Sequence, residues 1–206
     1  MQARHGVLID PEEAGIVKRS HFQLWPADKP LPYFDWIVMS LDTAFTEKTI
    51  DKKTFDPDPT ACGVWGVFTL KGKSYIMLLD SWEELLGMPD LIKRVKKELK
   101  VAYGMDEDIA LVQPKVGGRK PITSGRKPDI CVIEDKGSGI SLRQMLAAED
   151  IITYPYNPGN ADKLARLHMV SHIFVQRRVF LPESPSLPGK PRSWCCLLYT
   201  SDAADD

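Results

Sequence analysis

The stretch Trp36-Ile37-Val38-Met39-Ser40-Leu41-Asp42 is an apolar run of strand length that stops on a carboxylate, followed by Thr43-Ala44. A second stretch, Ile130-Cys131-Val132-Ile133-Glu134-Asp135, ends the same way and runs into Lys136-Gly137-Ser138-Gly139. Short apolar runs bounded by turn residues read as buried strands, and these two bring acids to their C-terminal ends.

Between these runs lie the elements that complete a sheet. A polar stretch from 47 to 59 reads as a loop. Strands at 61–70 and 74–82 are joined by Lys71-Gly72-Lys73, the short glycine-containing connection of an antiparallel hairpin. From 83 to 100 the apolar residues Leu85, Met88, Ile92, Val95 and Leu99 recur at steps of three and four, which predicts an amphipathic helix. The segment 103–129 is rich in glycine and proline and holds five cations from Lys115 to Lys127 with no acid, so it reads as a basic loop. Beyond the second acidic run, the pattern predicts a helix at 140–148 and a strand at 151–156. A helix at 162–174 follows, with Asn160 as its N-cap, then a short strand at 178–181. An antiparallel meander followed by parallel crossovers gives an α/β fold with a mixed sheet flanked by helices, the ribonuclease H-like layout.

Composition sets outer limits. With 206 residues, an ordinary apolar fraction and a net charge of −1, the chain can bury a real core but has no global pull toward nucleic acid. DNA contact would have to come from local basic patches. No apolar stretch reaches membrane-spanning length, and the N-terminus lacks a signal peptide's apolar segment, so a cytoplasmic protein without a membrane partner is expected. Cys62, Cys131, Cys195 and Cys196 form no CxxC pair, and two of them fall inside strands, where free cysteine acts as a small hydrophobe. Neither a zinc site nor a disulfide framework is expected. His168 and His172 have the i, i+4 spacing of a helical zinc clamp, but without a third ligand they read as core or interface residues. Trp36, Trp65 and Trp82 are assigned to the sheet core by periodicity.

Acids at the ends of neighbouring strands, beside a glycine-rich turn, suit hard divalent cations held over a phosphodiester. Two-metal cleavage needs oxygen ligands around ions about 3.5 to 4 Å apart. Asp42 is the candidate bridging ligand, and the bland alternative is a strand-terminal Asp capping a turn. Glu134 and Asp135 compete for the second position. They point to opposite faces if the strand runs through both, so only one can join Asp42. The other would help order the Gly137-Ser138-Gly139 turn. Asp58, between two prolines, is read as a solvated loop acid. Lys163 and Arg166 share a helix face and are candidate phosphate contacts, as are Lys136 and the loop cations Arg119, Lys120, Arg126 and Lys127. Ordinary solvated cations are the alternative.

Four blocks in this order resemble the nuclease domain of the large terminase subunit of tailed bacteriophages, in its ribonuclease H-like branch. They are Ser40-Leu41-Asp42-Thr43-Ala44, Thr60-Ala61-Cys62-Gly63-Val64-Trp65-Gly66, Ile133-Glu134-Asp135-Lys136-Gly137-Ser138-Gly139 and Asp162-Lys163-Leu164-Ala165-Arg166. The resemblance runs from about residue 20 to residue 194 and aligns Glu134 with a family acid. It implies a Mg²⁺- or Mn²⁺-dependent endonuclease cutting concatemeric double-stranded DNA in the cytoplasm of a bacterial host, as phage or prophage. The small terminase subunit and the portal are its implied partners. It also implies a division into an irregular lead-in over 1–35 from an ATPase domain outside this chain and a nuclease domain over 36–194. Residues 195–206 would be a non-native tail, the last eleven resembling a translated sequencing adapter. The family's third acid would then lie downstream of Trp194. Rival readings are another ribonuclease H-like nuclease of the resolvase type and a module that grips DNA or portal without cutting.

Overall fold

The structure, a computed structural model, describes residues 15–43, 59–103, 125–135, 137–159 and 162–196. Eight strands form one mixed sheet: β1 (Phe22–Trp25), β2 (Trp36–Asp42), β3 (Thr60–Leu70), β4 (Lys73–Glu84), β5 (Ile130–Glu134), β6 (Tyr154–Tyr156), β7 (Val179–Ser184) and β8 (Leu187–Pro191). Among the described residues three helices flank it: α1 (Met88–Glu98), α2 (Ser138–Ala147) and α3 (Lys163–Val175). The strand order is β1-β7-β4-β3-β2-β5-β6, with β8 paired to β7. β2, β3 and β4 are the antiparallel meander, and β5 and β6 add in parallel beside β2. This is the mixed, helix-flanked sheet of the ribonuclease H-like fold.

The hairpin between β3 and β4 turns on Lys71 and Gly72, both at positive φ (51° and 73°), the two-residue geometry that matches strand twist. Alternation then sorts the side chains. Ile37, Met39 and Leu41 of β2 and Cys131 and Ile133 of β5 face a large core closed by Leu91 and Val95 of α1 and Leu142 and Leu146 of α2. Residues of the opposite parity face α3, whose Ile173 and Phe174 close a smaller core with Phe22, Leu78, Val179, Leu181 and Cys195. The sheet is therefore a middle layer, with α1 and α2 on one face and α3 on the other.

Several boundaries and burials differ from the sequence reading. The lead-in is not wholly irregular, because Phe22–Trp25 pairs in parallel with β7. β4 extends to Glu84, and α1 starts only at Met88, where Pro89 sits in the first turn, the one place a helix accepts it freely. Leu85, expected on the helix's inner face, precedes the helix and is exposed, whereas Leu91 is buried. β8 has no counterpart in the sequence reading. Asp162 caps α3, its Oδ1 accepting from Ala165 N at 2.6 Å. The expected cap, Asn160, lies outside the described residues, as do most of the 47–59 and 103–129 loops and residues 197–206. Cys195 is fully buried in the smaller core. His168 and His172 are exposed rather than packed, because α3 turns Ile173 and Phe174 inward. Trp36 also departs from the core assignment at 53% exposed, while Trp82 is buried and Trp65 is half-buried.

Candidate functional site

The two acidic strand ends meet at the centre of the sheet. β2 and β5 are parallel neighbours whose register runs Val38↔Ile130, Met39↔Cys131, Ser40↔Val132 and Leu41↔Ile133. The next residues on each strand are Asp42 and Glu134. They share the parity of Ser40 and Val132, so both side chains leave the α3 face from strands about 5 Å apart. Past β2 the chain turns to β3 on one side, and past β5 it crosses through α2 to β6 on the other. The two acids thus stand at the C-terminal ends of adjacent parallel strands, the end of an α/β sheet where ligands commonly bind.

This alignment depends on contacts at both ends of the strand pair. At the N-terminal end, Asp129 N donates to Ile37 O at 2.8 Å, and Ile37 N donates to Asp129 Oδ2 at 2.7 Å. At the other end, Ser138 Oγ lies 2.9 Å from the Thr43 carbonyl oxygen and 3.0 Å from Thr43 Oγ1. The serine hydroxyl donates toward both oxygens, tying the chain just past Asp42 to the first turn of α2. A slip of one residue would send one acid to the opposite face, so these locks decide whether a pair exists.

α2 approaches β5 very closely. A Cβ on Gly139 would stand 1.9 Å from Glu134 O, so only glycine fits there. Gly137 precedes the helix at φ 49°, a left-handed turn that glycine adopts freely.

Glu134 and Asp135 meet arginines from different helices. Arg143 of α2 reaches Asp135 Oδ1 at 2.5 Å. Glu134 instead has Arg166 of α3, with Nη1 3.9 Å from Oε2. Asp42 and Glu134 thus present hard oxygen donors from adjacent strand ends, and Arg166 lies beside Glu134. These donors fit one side of a Mg²⁺- or Mn²⁺-type site. Among the described residues, no group of three or more His, Cys, Asp or Glu side chains is arranged to hold a metal ion.

The candidate cations separate. Arg166 reaches Glu134, and Lys163 lies in the first turn of the same helix. Arg126 donates to Asp129 Oδ1 through Nε and Nη2 at 3.1 and 2.8 Å and to Phe34 O at 2.9 Å. The Asp129 hydrogen bonds raise its affinity for the proton. Arg126 and exposed Lys127 lie by the start of β5, at the opposite end of the strands from Glu134. They are not brought to the acid pair. Lys136, Arg119, Lys120 and Asp58 lie outside the described residues.

The sequence reading missed the residues that hold this site. The Ser138–Thr43 link and the Asp129–Ile37 exchange join segments far apart in sequence, and only the adjacency of the two acidic runs hinted at them. It also missed a buried polar group on the α1 face. A bulge in β4 beside Val64 and Trp65 shifts the alternation, so that Asp80 pairs with Val64 and turns toward the large core. There, Arg94 Nη1 bonds Glu98 Oε2 at 3.1 Å, and Tyr103 donates to Glu98 Oε1. Burial, then the charge of Glu98, raises the pKa of Asp80. Burial and the bond to Glu98 likewise raise that of Tyr103. Burial pushes the Cys131 thiol up to about 12, leaving it an inert core group. Among the described residues, no helix is long and apolar enough to cross a membrane. No family model matches the chain, and no curated protein or solved structure matches it either.

Proposed function

We propose that this chain is the nuclease portion of a phage-type terminase large subunit, a Mg²⁺- or Mn²⁺-dependent endodeoxyribonuclease. It would cut concatemeric double-stranded DNA during genome packaging in the bacterial host, with the small subunit and portal as further partners. The observation that carries the proposal is the lateral pairing of Asp42 and Glu134 at the C-terminal ends of two parallel strands. The four sequence blocks that resemble terminase nucleases supply the choice of substrate.

When bound, the divalent ion would activate water and steady the leaving oxygen of the phosphodiester. Asp42 and Glu134 would hold it, and the β2–β5 register keeps their carboxylates abreast. Arg166, 3.9 Å from Glu134, is available to a phosphate oxygen of the bound strand. Ser138, through its hydroxyl, and Gly139, through its close packing on β5, keep Thr43 and Glu134 in place.

Cleavage of supercoiled plasmid tests the proposal, using the chain joined to the downstream segment that the resemblance says carries the third acid. Mg²⁺- or Mn²⁺-dependent nicking is expected and is lost in Asp42→Ala and in Glu134→Gln. Nicking that survives both substitutions contradicts it. Within enzymes the rival is a resolvase-type nuclease of the same fold, which an ATPase motif upstream of this chain would disfavour. A DNA- or portal-binding module without cleavage is the second reading, favoured because no group of three or more His, Cys, Asp or Glu side chains is arranged to hold a metal ion among the described residues.

A further inference from the structure

We propose that Tyr154 and Tyr156 form a stacking platform for an unpaired stretch of the DNA substrate beside the acid pair. The inference rests on the nuclease reading of that pair and adds the form in which the strand arrives. β6 continues the parallel register, with Val132↔Tyr154, Ile133↔Pro155 and Glu134↔Tyr156. Asp42, Glu134 and Tyr156 therefore form one row across three strands, on one face. Tyr156 stands about 5 Å from Glu134 and about 10 Å from Asp42 along that row, and Tyr154 lies about 7 Å further back along β6.

Both rings are open to solvent, at 51% and 46% exposure, although they belong to a sheet face. α3 covers that face near β1, β4 and β7 and reaches the acids only through its first turns, at Arg166. Another strand is poorly suited to cover the site. Tyr156 O accepts from Asp135 N, so the alternate residue of β6 turns its backbone outward. That residue is Pro155, which has no N–H to offer a joining strand.

A ligand for this surface must lie on the rings rather than pair with the edge. It must also carry phosphate to within one nucleotide's reach of the acids. Unpaired bases meet both conditions, since every base has a face that stacks on tyrosine without regard to sequence. Paired bases keep their faces inside the duplex. The platform accordingly selects strands that are single or locally melted, and Arg166 supplies the adjacent cation.

Binding of a fluorescein-labelled oligothymidylate to the full chain in Ca²⁺, read by anisotropy, tests the assignment beside a duplex of the same length. The double substitution Tyr154→Ala/Tyr156→Ala should weaken oligothymidylate binding roughly tenfold or more, and leave duplex binding within about twofold. Tyr154→Phe/Tyr156→Phe, which keeps the rings, should bind like the parent. Undiminished binding by the alanine variant overturns the platform. So does an equal loss on duplex, a phenylalanine variant as weak as alanine, or a parent chain that does not bind the oligothymidylate. The two readings fail separately. Tyrosine-dependent binding without metal-dependent cleavage keeps the platform and sinks the nuclease, and cleavage lost in Asp42→Ala with tyrosine-independent binding does the reverse.

Discussion

Asp42 and Glu134, 92 positions apart in the chain by subtraction of their numbers, occupy adjacent places on neighbouring parallel strands, one step beyond the paired Leu41 and Ile133. Two carboxylates abreast on one face repel each other, and burying them without a counter-charge would be costly. Asp42 is exposed, and Glu134 has Arg166 nearby. The arrangement thus keeps two oxygen donors available at the strand ends at a tolerable cost.

Register is the first thing to perturb. Asp129→Ala removes the carboxylate that accepts from Ile37 N and holds Arg126. Chemical denaturation should show a loss of about 2 kcal/mol, the range for hydrogen bonds to a charged group. Ser138→Ala, at the other end, should lose about 1 kcal/mol and weaken metal binding through the freed Thr43 segment. Unchanged stability in both variants would contradict the two-lock account.

The contact between α2 and β5 makes a sharper prediction. In Gly139→Ala the new methyl group meets Glu134 O, and a backbone atom cannot swing aside as a side chain can. The expected cost is about 3 kcal/mol by denaturation, the upper part of the range for overpacking. Metal affinity should fall with it, because the strand that carries Glu134 has to shift. A variant as stable as the parent would mean that helix and strand are not in contact.

Much of this fold was legible in the sequence because its signals are local. The apolar runs 36–42 and 130–134, the Lys71-Gly72 turn and the three helices each declare themselves within a few residues. What the sequence hid depends on distant partners. Phe22–Trp25 becomes a strand only by pairing with Val179–Ser184, and its neighbouring prolines argue against regular structure. Asp80 looks like any strand acid until the bulge turns it inward. In the site, the acids and Arg166 were readable as residue types at strand and helix ends. Their assignment to faces was not, because it needs the register and the partners Arg143 and Arg166.

The buried polar group gives a prediction with a pH sign. The folded state raises the pKa of Asp80, so that state holds the proton more tightly than the unfolded chain. Its contribution to stability is full below the ordinary value of 3.8 and is lost as pH rises through the raised folded value. Asp80→Asn keeps an acceptor for Ser81 N without the charge. Melting temperatures should be higher for the variant at neutral pH and converge with the parent in acid. A variant that melts lower at neutral pH would show that the charged form is the stabilising one.

The central claim is that Asp42 and Glu134 hold one divalent cation between them. Calorimetric titration of the chain with Mn²⁺ tests this directly, in the parent, Asp42→Asn, Glu134→Gln and the double variant. The account predicts that each single substitution removes most of the affinity and that the double variant is little worse than either, since both side chains serve one ion. Parent-like Mn²⁺ binding in the double variant would contradict it.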